Sequence, residues 1–548
     1  MTSEKVATEI HYDAEGHPKT GYRIGPADTR LQFFKLLLDD RQELPMDSRP
    51  YLEQQLRNAG KTVGEVTTDF LAAIRGHAMA EITKRYGANM VSTTPFEYVL
   101  TVPAVWSDAA KNATEQAATK AGIGPNLSLV SEPEAAIVHA LQTEAIPKDR
   151  MNVGDNWIVV DAGGGTIDVT VHEVAQLMPL RLTESVPGIG ALSGGAFIDM
   201  GFRNLVKDRM GSDRFEQLCR DKPRFWPAAL ADFRSNVKPS FDSAGPGDAF
   251  ASEDDTIHYV TFSGAETQPE AGIRNGFFEL SNDELAELFR PVVITLVDLV
   301  IKAKRALERE DKTANGVVLA GGLGKANHVY KVLTTAFAEA GAPPPYSSDS
   351  LFVPKAASFE VIQPKDAWTA VVQGAVWTGR CGELVSSRKA RRAFGTRYYT
   401  TYNSGKHALA NKYLDPNEES YKADNQLDFF IKSGDTVISS KIILFDYDLT
   451  VNEVGDNANT TIALYCCDGE QLPTEFVDID DSEAYVVCTL DVDLGMVSKH
   501  SWRKHRNSTG KLYYTLNYQL GMQVGAGGLT FDLRVGNKIY GSLRADFK

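Results

Sequence analysis

A glycine-rich stretch joins two strand-like segments near residue 160, and it constrains the fold more than any other feature. Trp157–Val160 is a short apolar run that ends at Asp161, and Ile167–Val171 alternates apolar with polar residues. This alternation is typical of a half-buried strand. In dinucleotide-binding folds and P-loop enzymes the glycine loop opens a helix, whereas here it is followed by a strand. The sequence therefore predicts a β-hairpin with glycines at its tip.

The polar residues of this hairpin suit a phosphate and a cation. Gly163, Gly164 and Gly165 lack Cβ atoms, so their backbone N–H groups can converge on an anion. Asp161 offers a carboxylate to hydrated Mg²⁺, and Thr166 offers a hydroxyl to a phosphate oxygen. The pattern predicts a nucleotide site, and a glycine hairpin with a structural role is the alternative that this motif leaves open.

The length of the chain predicts its number of domains, and its net charge indicates which partners are not expected. The chain has 548 residues, of which 43% are hydrophobic, and at roughly 150 residues per domain this predicts about three or four compact units. The formal net charge is −15. Binding to nucleic acid depends on clustered basic charge, so nucleic acid is not an expected partner.

Cysteine usage and hydropathy bear on the compartment. The five cysteines are few and odd in number, which favours a reducing interior over a disulfide framework. The longest apolar candidate, near residues 292–301, is short and contains Asp298, so no membrane span is expected. The sequence predicts a cytoplasmic protein. The basic run at residues 388–392 leaves a nuclear location as the alternative.

Periodicity predicts two kinds of structure along the chain. Helices are expected at residues 28–38, where Lys35 lies beside an apolar stripe, and at 67–86, followed by alternating strands and helices up to the glycine hairpin. A capping box at Ser281 and Glu284 predicts the start of a long helix. After about residue 380 the sequence becomes alternating and β-branched, which predicts an all-β domain.

Five segments resemble successive landmarks of the heat shock protein 70 family and occur in the same order. They are Thr101–Ala110, Ser131–Ala136, Asp161–Thr166, Gly194–Asp199 and Val317–Gly322. The resemblance covers about residues 1–380. It implies a two-lobed α/β actin/hexokinase-like ATPase fold that closes on ATP or ADP with Mg²⁺, followed by a C-terminal all-β domain.

The resemblance also implies a division of the chain into domains. Residues 1–380 are predicted to form the nucleotide-binding domain, 381–395 a basic linker and 396–548 a β-rich domain. The β-rich domain is similar in position and composition to the family's substrate-binding domain, which implies unfolded or peptide clients and a role in the stress response. No motif in it matches that domain.

Site residues follow from the resemblance position by position. Asp161, Glu132 and Asp168 are implied at the metal, while Asp161, Thr166, Glu132 and Lys35 are implied in hydrolysis, with Lys35 reaching the terminal phosphate. The nucleotide-contacting residues implied are Gly163, Gly164, Gly165, Thr166, Gly194, Gly195, Lys238, Gly322, Leu323, Gly324 and Lys325.

Departures from the family pattern shape the expected activity. A first phosphate loop of the type Asp-x-Gly-Thr-Thr and a helical lid are not found in this sequence. Because phosphoryl transfer depends on positioning and charge stabilisation, we expect ATP binding with weak or vestigial hydrolysis. The alternatives are a non-catalytic nucleotide-binding scaffold or a truncated product of a longer family member. A sugar or metabolite kinase on the same fold is a more distant alternative.

Overall fold

The computed structural model describes residues 5–25, 28–41, 48–147, 151–242, 256–338, 359–454, 458–469, 471–476, 484–525, 527–543 and 545–547. The chain divides into two units. One comprises residues 1–106 and 113–385, and the other comprises residues 107–112 and 386–548. Among the described residues, no helix has the length and apolar character needed to cross a membrane.

The described residues of the first unit contain thirteen strands. They are β1 Glu9–Tyr12, β2 Pro18–Thr20, β3 Leu31–Gln32, β4 Tyr98–Val102, β5 Leu127–Ser131, β6 Asn156–Ala162, β7 Ile167–Leu177, β8 Leu180–Ala191, β9 Ile257–Thr261, β10 Ile273–Arg274, β11 Phe277–Ser281, β12 Ala314–Ala320 and β13 Glu360–Ile362.

The helices surround these strands. They are α1 Ser48–Ala59, α2 Val63–Tyr86, α3 Ala88–Thr93, α4 Asp108–Lys120, α5 Glu132–Gln142, α6 Gly195–Met210, α7 Ser212–Asp221, α8 Phe225–Asp232, α9 Lys238–Ser240, α10 Asn282–Arg309, α11 Asn327–Ala338 and α12 Ala370–Cys381. Shorter 3₁₀ turns occur at Gly21–Arg23, Phe34–Leu38 and Pro269–Ala271, and a π-helical turn at Phe233–Val237.

A mixed sheet forms the centre of the first unit, with its strands in the order β13-β12-β6-β7-β8. Strand β12 is parallel to β6 and β13, and β6, β7 and β8 are joined antiparallel. Every residue of β6 is buried. Such a strand needs cover on both faces, which α5 and α10 supply. The glycine hairpin lies at one end of this buried strand pair.

One helix cap and one close helix–helix contact define the elements around this sheet. Helix α10 begins with the predicted capping box, in which Ser281 and Glu284 each bond the other's backbone N–H. Helix α12 packs on α5 so closely that a Cβ on Gly374 would overlap the carbonyl of Ala135. The absence of a side chain at Gly374 therefore sets how near α12 can lie to the helix that begins at Glu132.

Smaller sheets complete the first unit. Strands β2, β1 and β3 form an antiparallel sheet, β10, β11 and β9 form another, and β4 pairs with β5 in parallel. The predicted helix at residues 28–38 is wrong. Leu31 pairs with Ile10 in the first of these sheets, and Phe33 adopts a left-handed φ of 59° that ends the strand before the 3₁₀ turn. Tertiary pairing thus overrides the helical spacing of the apolar residues.

Helix α2 is longer and more exposed than its pattern predicts. It starts at Val63, where the Thr62 hydroxyl accepts the N–H of Glu65 in a capping box. Among its residues only Val66 and Thr67 are buried, and Ile74, which lies on the apolar face of the helical pattern, is 37% exposed. The apolar stripe of the second half of α2 is therefore not a core face within the described residues.

The second unit is rich in strands. They are β14 Val385–Lys389, β15 Ala393–Thr401, β16 Lys412–Asp415, β17 Ser420–Ile431, β18 Thr436–Ile438, β19 Ile443–Val451, β20 Asn459–Cys467, β21 Ala484–Asp493, β22 Arg503–Arg506, β23 Leu512–Gly525, β24 Gly528–Val535, β25 Lys538–Leu543 and β26 Ala545–Phe547. Short 3₁₀ turns occur at Leu409–Asn411 and Lys499–Ser501.

Two antiparallel sheets share the core of this unit. One has the order β16-β17-β15-β20-β21-β26, and the other runs β19-β23-β24-β25 with β22 beside β23. Apolar residues from both sheets, among them Leu464, Leu490 and Leu520, form one buried cluster. Neighbouring Cys466 and Cys467 are both buried in strand β20, as expected for packing residues, and burial raises the pKa of the Cys466 thiol to about 12.

The segment predicted as a basic linker, residues 381–395, is largely ordered into strands. Residues 385–389 form β14, which pairs with β18, and β15 starts at Ala393. Only a short turn at residues 390–392 separates the two strands. Burial alternates at the start of β14, where Val385 and Ser387 are buried and Ser386 and Arg388 are less so, because successive side chains of a strand point to opposite faces of the sheet.

Candidate functional site

The glycine hairpin places two aspartates side by side. In the β6–β7 register, Asp161 lies directly opposite Asp168, so their side chains project from the same face of the sheet. The turn is closed by a hydrogen bond of 2.9 Å from the N–H of Gly163 to the carbonyl of Thr166. Both aspartates are buried, and Asp168 is fully inaccessible. Two like charges in this position repel each other unless a cation or a proton intervenes.

A third carboxylate comes from the start of α5. Ser131 caps this helix by accepting the N–H of Glu134, and Pro133 occupies its first turn. Glu132 is thereby held at the helix N-terminus, where its Oε1 accepts a hydrogen bond of 2.8 Å from Lys35 Nζ. The Lys35 ammonium also lies 5.1 Å from the centre of the Trp106 ring. The structure thus brings Lys35 to Glu132 across 97 residues of sequence.

The pKa values of these groups are shifted by one another's charges, as expected for neighbouring groups. Burial, together with the charges of Glu132 and Asp168, raises the pKa of Asp161 well above its usual range. Burial and Glu132 raise the pKa of Asp168 to about 6. Burial opposes protonation of Lys35, but Glu132 and the two aspartates outweigh it and raise the pKa of Lys35. We refer to Glu132, Asp161 and Asp168 below as the carboxylate cluster.

The carboxylate cluster fits a hydrated divalent cation. Asp168 Oδ1 accepts the N–H of Val105 at 3.2 Å, whereas its buried Oδ2 has no hydrogen-bond partner among the described residues. Such an orphaned acceptor is costly unless a cation or its water satisfies it. Within the described chain, the cluster oxygens do not all lie within 4.8 Å of one another. This spacing suits Mg²⁺, which keeps several of its waters, better than direct ligation by all three carboxylates.

Among the described residues, one other group has its potential ligand atoms close enough together to bind a metal ion directly. It consists of Asp13, Glu15 and His17 at the turn between β1 and β2. Both Glu15 and His17 are exposed, and the Asp13 carboxylate already accepts the N–H of His17 at 2.8 Å. These contacts are those of an ordinary polar turn.

Helix α6 begins against the tip of the glycine hairpin. The N–H of Gly195 donates to the carbonyl of Gly163 at 3.1 Å, and that of Ala196 donates to Gly164 at 2.8 Å. A Cβ on Gly194 would lie 2.7 Å from both of these carbonyl oxygens. The helix start and the hairpin are therefore fitted to each other, and these two amides already have acceptors.

Lys238 lies beside the same helix start. Its Nζ donates to the carbonyl of Gly195 at 3.1 Å and to the Asp199 carboxylate at 2.6 Å. Arg234, from the π-helical turn, binds the other oxygen of Asp199 at 2.7 Å and lies 3.7 Å from Glu9 of β1. Burial lowers the pKa of Lys238, against the opposing effect of Asp199. Lys238 is thus engaged in an ion pair next to Gly195.

The turn after β12 meets the other side of the hairpin. The N–H groups of Leu323 and Gly324 both donate to the carbonyl of Ala162, at 2.9 and 3.2 Å. Gly321 has a φ of +89°, and a side chain there would overlap the carbonyl of Ala162 and the carboxylate of Asp161. The structure therefore places the turn that carries Gly322, Leu323, Gly324 and Lys325 next to the glycine hairpin.

Several residues of this site were missed by the sequence interpretation. The N–H of Val105 donates to Asp168, and the Trp106 ring lies near the Lys35 ammonium. A Cβ on Gly322 would lie 3.4 Å from the Trp368 ring. The centre of the Trp368 ring is 5.4 Å from the Lys325 ammonium. Lys5 also joins the cluster electrostatically. Trp106 carried a local signal, since it lies within a family-like segment, whereas nothing local distinguishes Lys5 or Trp368.

Comparison with known proteins finds similarity to one family in the segment that contains this site. Residues 48–178, which contain Glu132, the glycine hairpin and Asp168, match the family model described as "Hsp70 protein". The chain is 23% identical over 443 aligned residues to "Heat shock 70 kDa protein 12A" of Mus musculus, covering 69% of this chain and 62% of that protein.

Two further relatives extend the comparison. "Heat shock 70 kDa protein 12B" of Homo sapiens is 22% identical over 419 residues, covering 64% of this chain and 57% of that protein. "Chaperone protein HscA homolog" of Methylibium petroleiphilum is 26% identical over 307 residues, covering 54% of this chain and 41% of that protein.

The chain spans about 62% of the length of the 12A proteins it matches. A match to the family model at the carboxylate cluster, together with relatives named for the same family, agrees with the α/β unit and the strand-rich unit that follows it. The fold is accordingly the actin-like ATPase fold followed by a C-terminal strand-rich region, and these comparisons support a divergent member of the heat shock protein 70 family.

Proposed function

We propose that this protein binds ATP and ADP with hydrated Mg²⁺ and hydrolyses ATP weakly, in support of a chaperone-like role. The observation that carries this proposal is the Lys35–Glu132 ion pair of 2.8 Å next to the Asp161–Asp168 pair at the glycine hairpin. The Lys35 ammonium and three carboxylates, of which Asp161 and Asp168 are buried, next to a glycine hairpin suit a metal–phosphate ligand better than an apolar one.

Each residue has a proposed part in binding. The carboxylate cluster holds the water shell of the cation, with Asp168 Oδ2 as an acceptor that has no other hydrogen-bond partner in the described chain. We assign the phosphates to the backbone at residues 163–165, to Lys35 and to the Thr166 hydroxyl, which hydrogen-bonds the Asp168 carboxylate in the structure. The turn at residues 321–325 and Lys238 border the adenosine. When bound, Mg²⁺ supplies charge neutralisation at the phosphates.

We propose weak hydrolysis because ionising the carboxyl groups of Asp161 and Asp168 in the folded protein is unfavourable in free energy. The raised pKa values of Asp161 and Asp168 show that their charged forms are disfavoured by burial and by each other. Lys35 is hydrogen-bonded to Glu132, so a phosphate that binds Lys35 must replace this hydrogen bond or share the ammonium with Glu132. Because phosphoryl transfer depends on a preorganised charge distribution, these competing contacts favour binding over rapid turnover.

The strand-rich unit is the proposed contact with clients. Relatives of this chain are named chaperone proteins HscA and DnaK, and we extend a peptide-binding role to residues 396–548 as part of this proposal. The nucleotide-binding domain at residues 1–380 and a cytoplasmic location are likewise predictions. Binding of an unfolded polypeptide to the full chain, measured by fluorescence anisotropy with and without ATP, tests the first of these points.

Isothermal titration calorimetry with ATP and Mg²⁺ tests the nucleotide site. We expect binding that requires Mg²⁺ and is weakened at least about tenfold by Asp161→Asn, since a charge-assisted contact is worth about 1.5–3 kcal/mol. Asp13→Asn changes the same residue type at the β1–β2 turn and serves as the control. Binding without any dependence on Mg²⁺ or Asp161 would contradict the proposed site.

A second candidate is a non-catalytic scaffold. The observation in its favour is that the N–H groups of Gly195 and Ala196 already donate to Gly163 and Gly164, which leaves fewer backbone donors for a phosphate. The two candidates differ in turnover. Measurable ATP hydrolysis by the pure protein that disappears in Asp161→Asn supports an enzyme, whereas nucleotide binding with no turnover above background supports the scaffold.

A further inference from the structure

One sheet of the strand-rich unit carries a short basic strand at its edge. Strand β22, Arg503–Arg506, has the sequence Arg-Lys-His-Arg and pairs antiparallel with β23. It follows Trp502, which is buried in the core of this unit. Burial of the indole ring and pairing with β23 hold β22 in place in the free protein. A strand that is already ordered binds a partner at a lower entropic cost than one that must first fold.

The register shows which backbone groups of β22 bond to β23. Just after β22, the N–H of Asn507 donates to the carbonyl of Lys511 at 3.0 Å. Hydrogen-bonded pairs alternate with non-hydrogen-bonded pairs along an antiparallel ladder. His505, two residues before Asn507, pairs with Tyr513, so this pair is hydrogen-bonded, as is the pair that Arg503 makes two residues earlier.

Lys504 and Arg506 alternate with these bonded residues. Their N–H and C=O groups consequently point to the outer edge of β22, where no other strand pairs among the described residues. A row of such groups on an edge strand is a template for a further strand. An extended polypeptide is the ligand that meets these donors and acceptors in register.

The side chains at this edge are cationic and exposed. Arg503, Lys504 and Arg506 are all exposed, as is Lys499 shortly before the strand. In the part of the chain that the structure describes, none of these four cations forms an ion pair with a carboxylate. Arg506 hydrogen-bonds the carbonyl of Gly510 at 3.3 Å. In a chain of net charge −15, this edge is a local concentration of positive charge without its own counter-charges.

We propose that β22 binds an extended acidic segment of a partner polypeptide by strand addition. This inference rests on the client-binding part of the proposed function, for which it names the contact and the chemistry of the client. Side chains of paired strands lie opposite one another, so aspartate or glutamate on the added strand faces the cations of β22. A second copy of β22 places like charges opposite each other and is disfavoured.

Other polyanions fit this edge less well than an acidic strand. Nucleic acid and anionic lipid meet the cations but do not pair with the outward N–H and C=O groups of Lys504 and Arg506. The net charge of −15 also opposes the approach of a large polyanion. Backbone pairing thus selects a strand, and the side chains select an acidic one.

Fluorescence anisotropy of the full chain with labelled peptides tests the proposal. The probe is a peptide of alternating glutamate and threonine, and we expect binding that weakens as salt is added. The same peptide with lysine in place of glutamate should not bind. A third peptide keeps every glutamate but has methylated backbone nitrogens, which removes the donors needed for strand pairing. We expect its affinity to be lower by about tenfold or more.

Charge reversal in the protein gives a second readout. We expect the double variant Lys504→Glu/Arg506→Glu to weaken binding of the acidic peptide by about tenfold, because attractions at the edge become repulsions. The matched control is Lys432→Glu/Lys441→Glu, which changes the net charge equally at two exposed lysines, one after β17 and one before β19. It should bind as the wild type does. All four side chains are exposed, so both variants should keep the melting temperature of the wild type.

Each outcome bears on one of the two proposals. Binding of the acidic peptide that is unaffected by charge reversal or by backbone methylation would overturn the role of β22 and leave client binding by the strand-rich unit standing. Equal affinity for a single-stranded oligonucleotide, or for vesicles that contain an anionic lipid, would also overturn it. No binding of the acidic peptide would remove this inference, and no binding of an unfolded polypeptide either would remove the proposed client binding with it.

Discussion

At the scale of single residues, the carboxylate cluster is held in an unfavourable state that a ligand can relieve. Asp168 is fully buried, and its charged carboxylate can only accept hydrogen bonds. One of its oxygens has no hydrogen-bond partner in the described chain. Asp161 faces it across the β6–β7 pair. Sites arranged for function commonly carry such a cost in the free protein. Stability should therefore rise when the charge is removed by protonation, substitution or a bound cation.

The first prediction concerns pH and Asp168→Asn. The pKa of Asp168 is raised from 3.8 to about 6 in the folded protein, so the stability it contributes is fully present below about pH 4. That contribution is lost as pH rises through 6. We expect the melting temperature of Asp168→Asn, relative to the wild type, to increase between about pH 4 and pH 7, equivalent to about 1–3 kcal/mol.

Only the pH dependence of the difference in melting temperature between Asp168→Asn and the wild type tests this prediction. Any loss of stability caused by burying the new amide is the same at every pH. Asp13→Asn is the control. The pKa of Asp13 is lowered from 3.8, chiefly by the N–H of His17, so the stability its charge contributes is already present above about pH 4, and the cost of its substitution should stay nearly constant between about pH 4 and pH 7. A flat difference for Asp168→Asn across this range would contradict a raised pKa.

The second prediction concerns the Lys35–Glu132 ion pair. Lys35→Met leaves Glu132 among the carboxylates without its partner, and Glu132→Gln removes the charge instead. Lys35 is 41% exposed, and solvent screening limits the pair, so we expect a coupling energy of about 0.5–1.5 kcal/mol in a double-mutant cycle of urea unfolding. Additive effects of the two substitutions would show that the pair does not stabilise the free protein.

At the scale of elements, the site depends on the junction between the glycine hairpin and the start of α6. The N–H groups of Gly195 and Ala196 bind the carbonyls of Gly163 and Gly164, so that the helix start serves as a support for the loop. This contact requires the backbones to approach closely at Gly194, where a Cβ would lie 2.7 Å from both carbonyl oxygens. Backbone atoms cannot give way as a flexible side chain can.

The third prediction is that Gly194→Ala separates the hairpin from α6. We expect a loss of about 1–3 kcal/mol in unfolding free energy from the overpacking, together with weaker ATP binding. Gly76→Ala is the matched control, because it lies within α2 and a Cβ there meets nothing within 4 Å. It should stabilise the protein by about 0.5–1 kcal/mol through helix propensity. Urea unfolding of both variants provides the measurement.

At the scale of the whole molecule, the chain combines two units with separate cores. The first has its largest buried cluster around β6, β7 and α10, and the second has one between its two antiparallel sheets. All of the candidate nucleotide residues lie in the first unit. A ligand bound by the native state of one unit raises the stability of that unit in proportion to its occupancy.

The fourth prediction follows for calorimetry of the full chain. We expect two unfolding transitions, of which only one shifts when ATP and Mg²⁺ are added, by an amount that grows with ligand concentration. ATP without Mg²⁺, in the presence of a chelator, is the control. Equal shifts of both transitions would show that nucleotide binding is coupled to the strand-rich unit.

The sequence by itself determined the parts of the site that depend on neighbouring residues. The apolar run, the glycines and the alternating strand are contiguous, so the β6–β7 hairpin and the pairing of Asp161 with Asp168 follow from local pattern and register. Ser131 and Pro133 similarly mark the start of α5, and Ser281 with Glu284 marks that of α10. In each case, a short-range backbone hydrogen bond specifies the structure.

Tertiary structure alone decided which distant groups meet. Lys35 lies on a 3₁₀ turn because β3 pairs with β1, and not on the helix that its spacing predicts. Its contact with Glu132 spans 97 residues, and Lys238 binds Asp199 from 39 residues away. The exposure of α2 depends equally on packing. Such contacts are set by the free energy of the assembled core, for which a local pattern carries no signal.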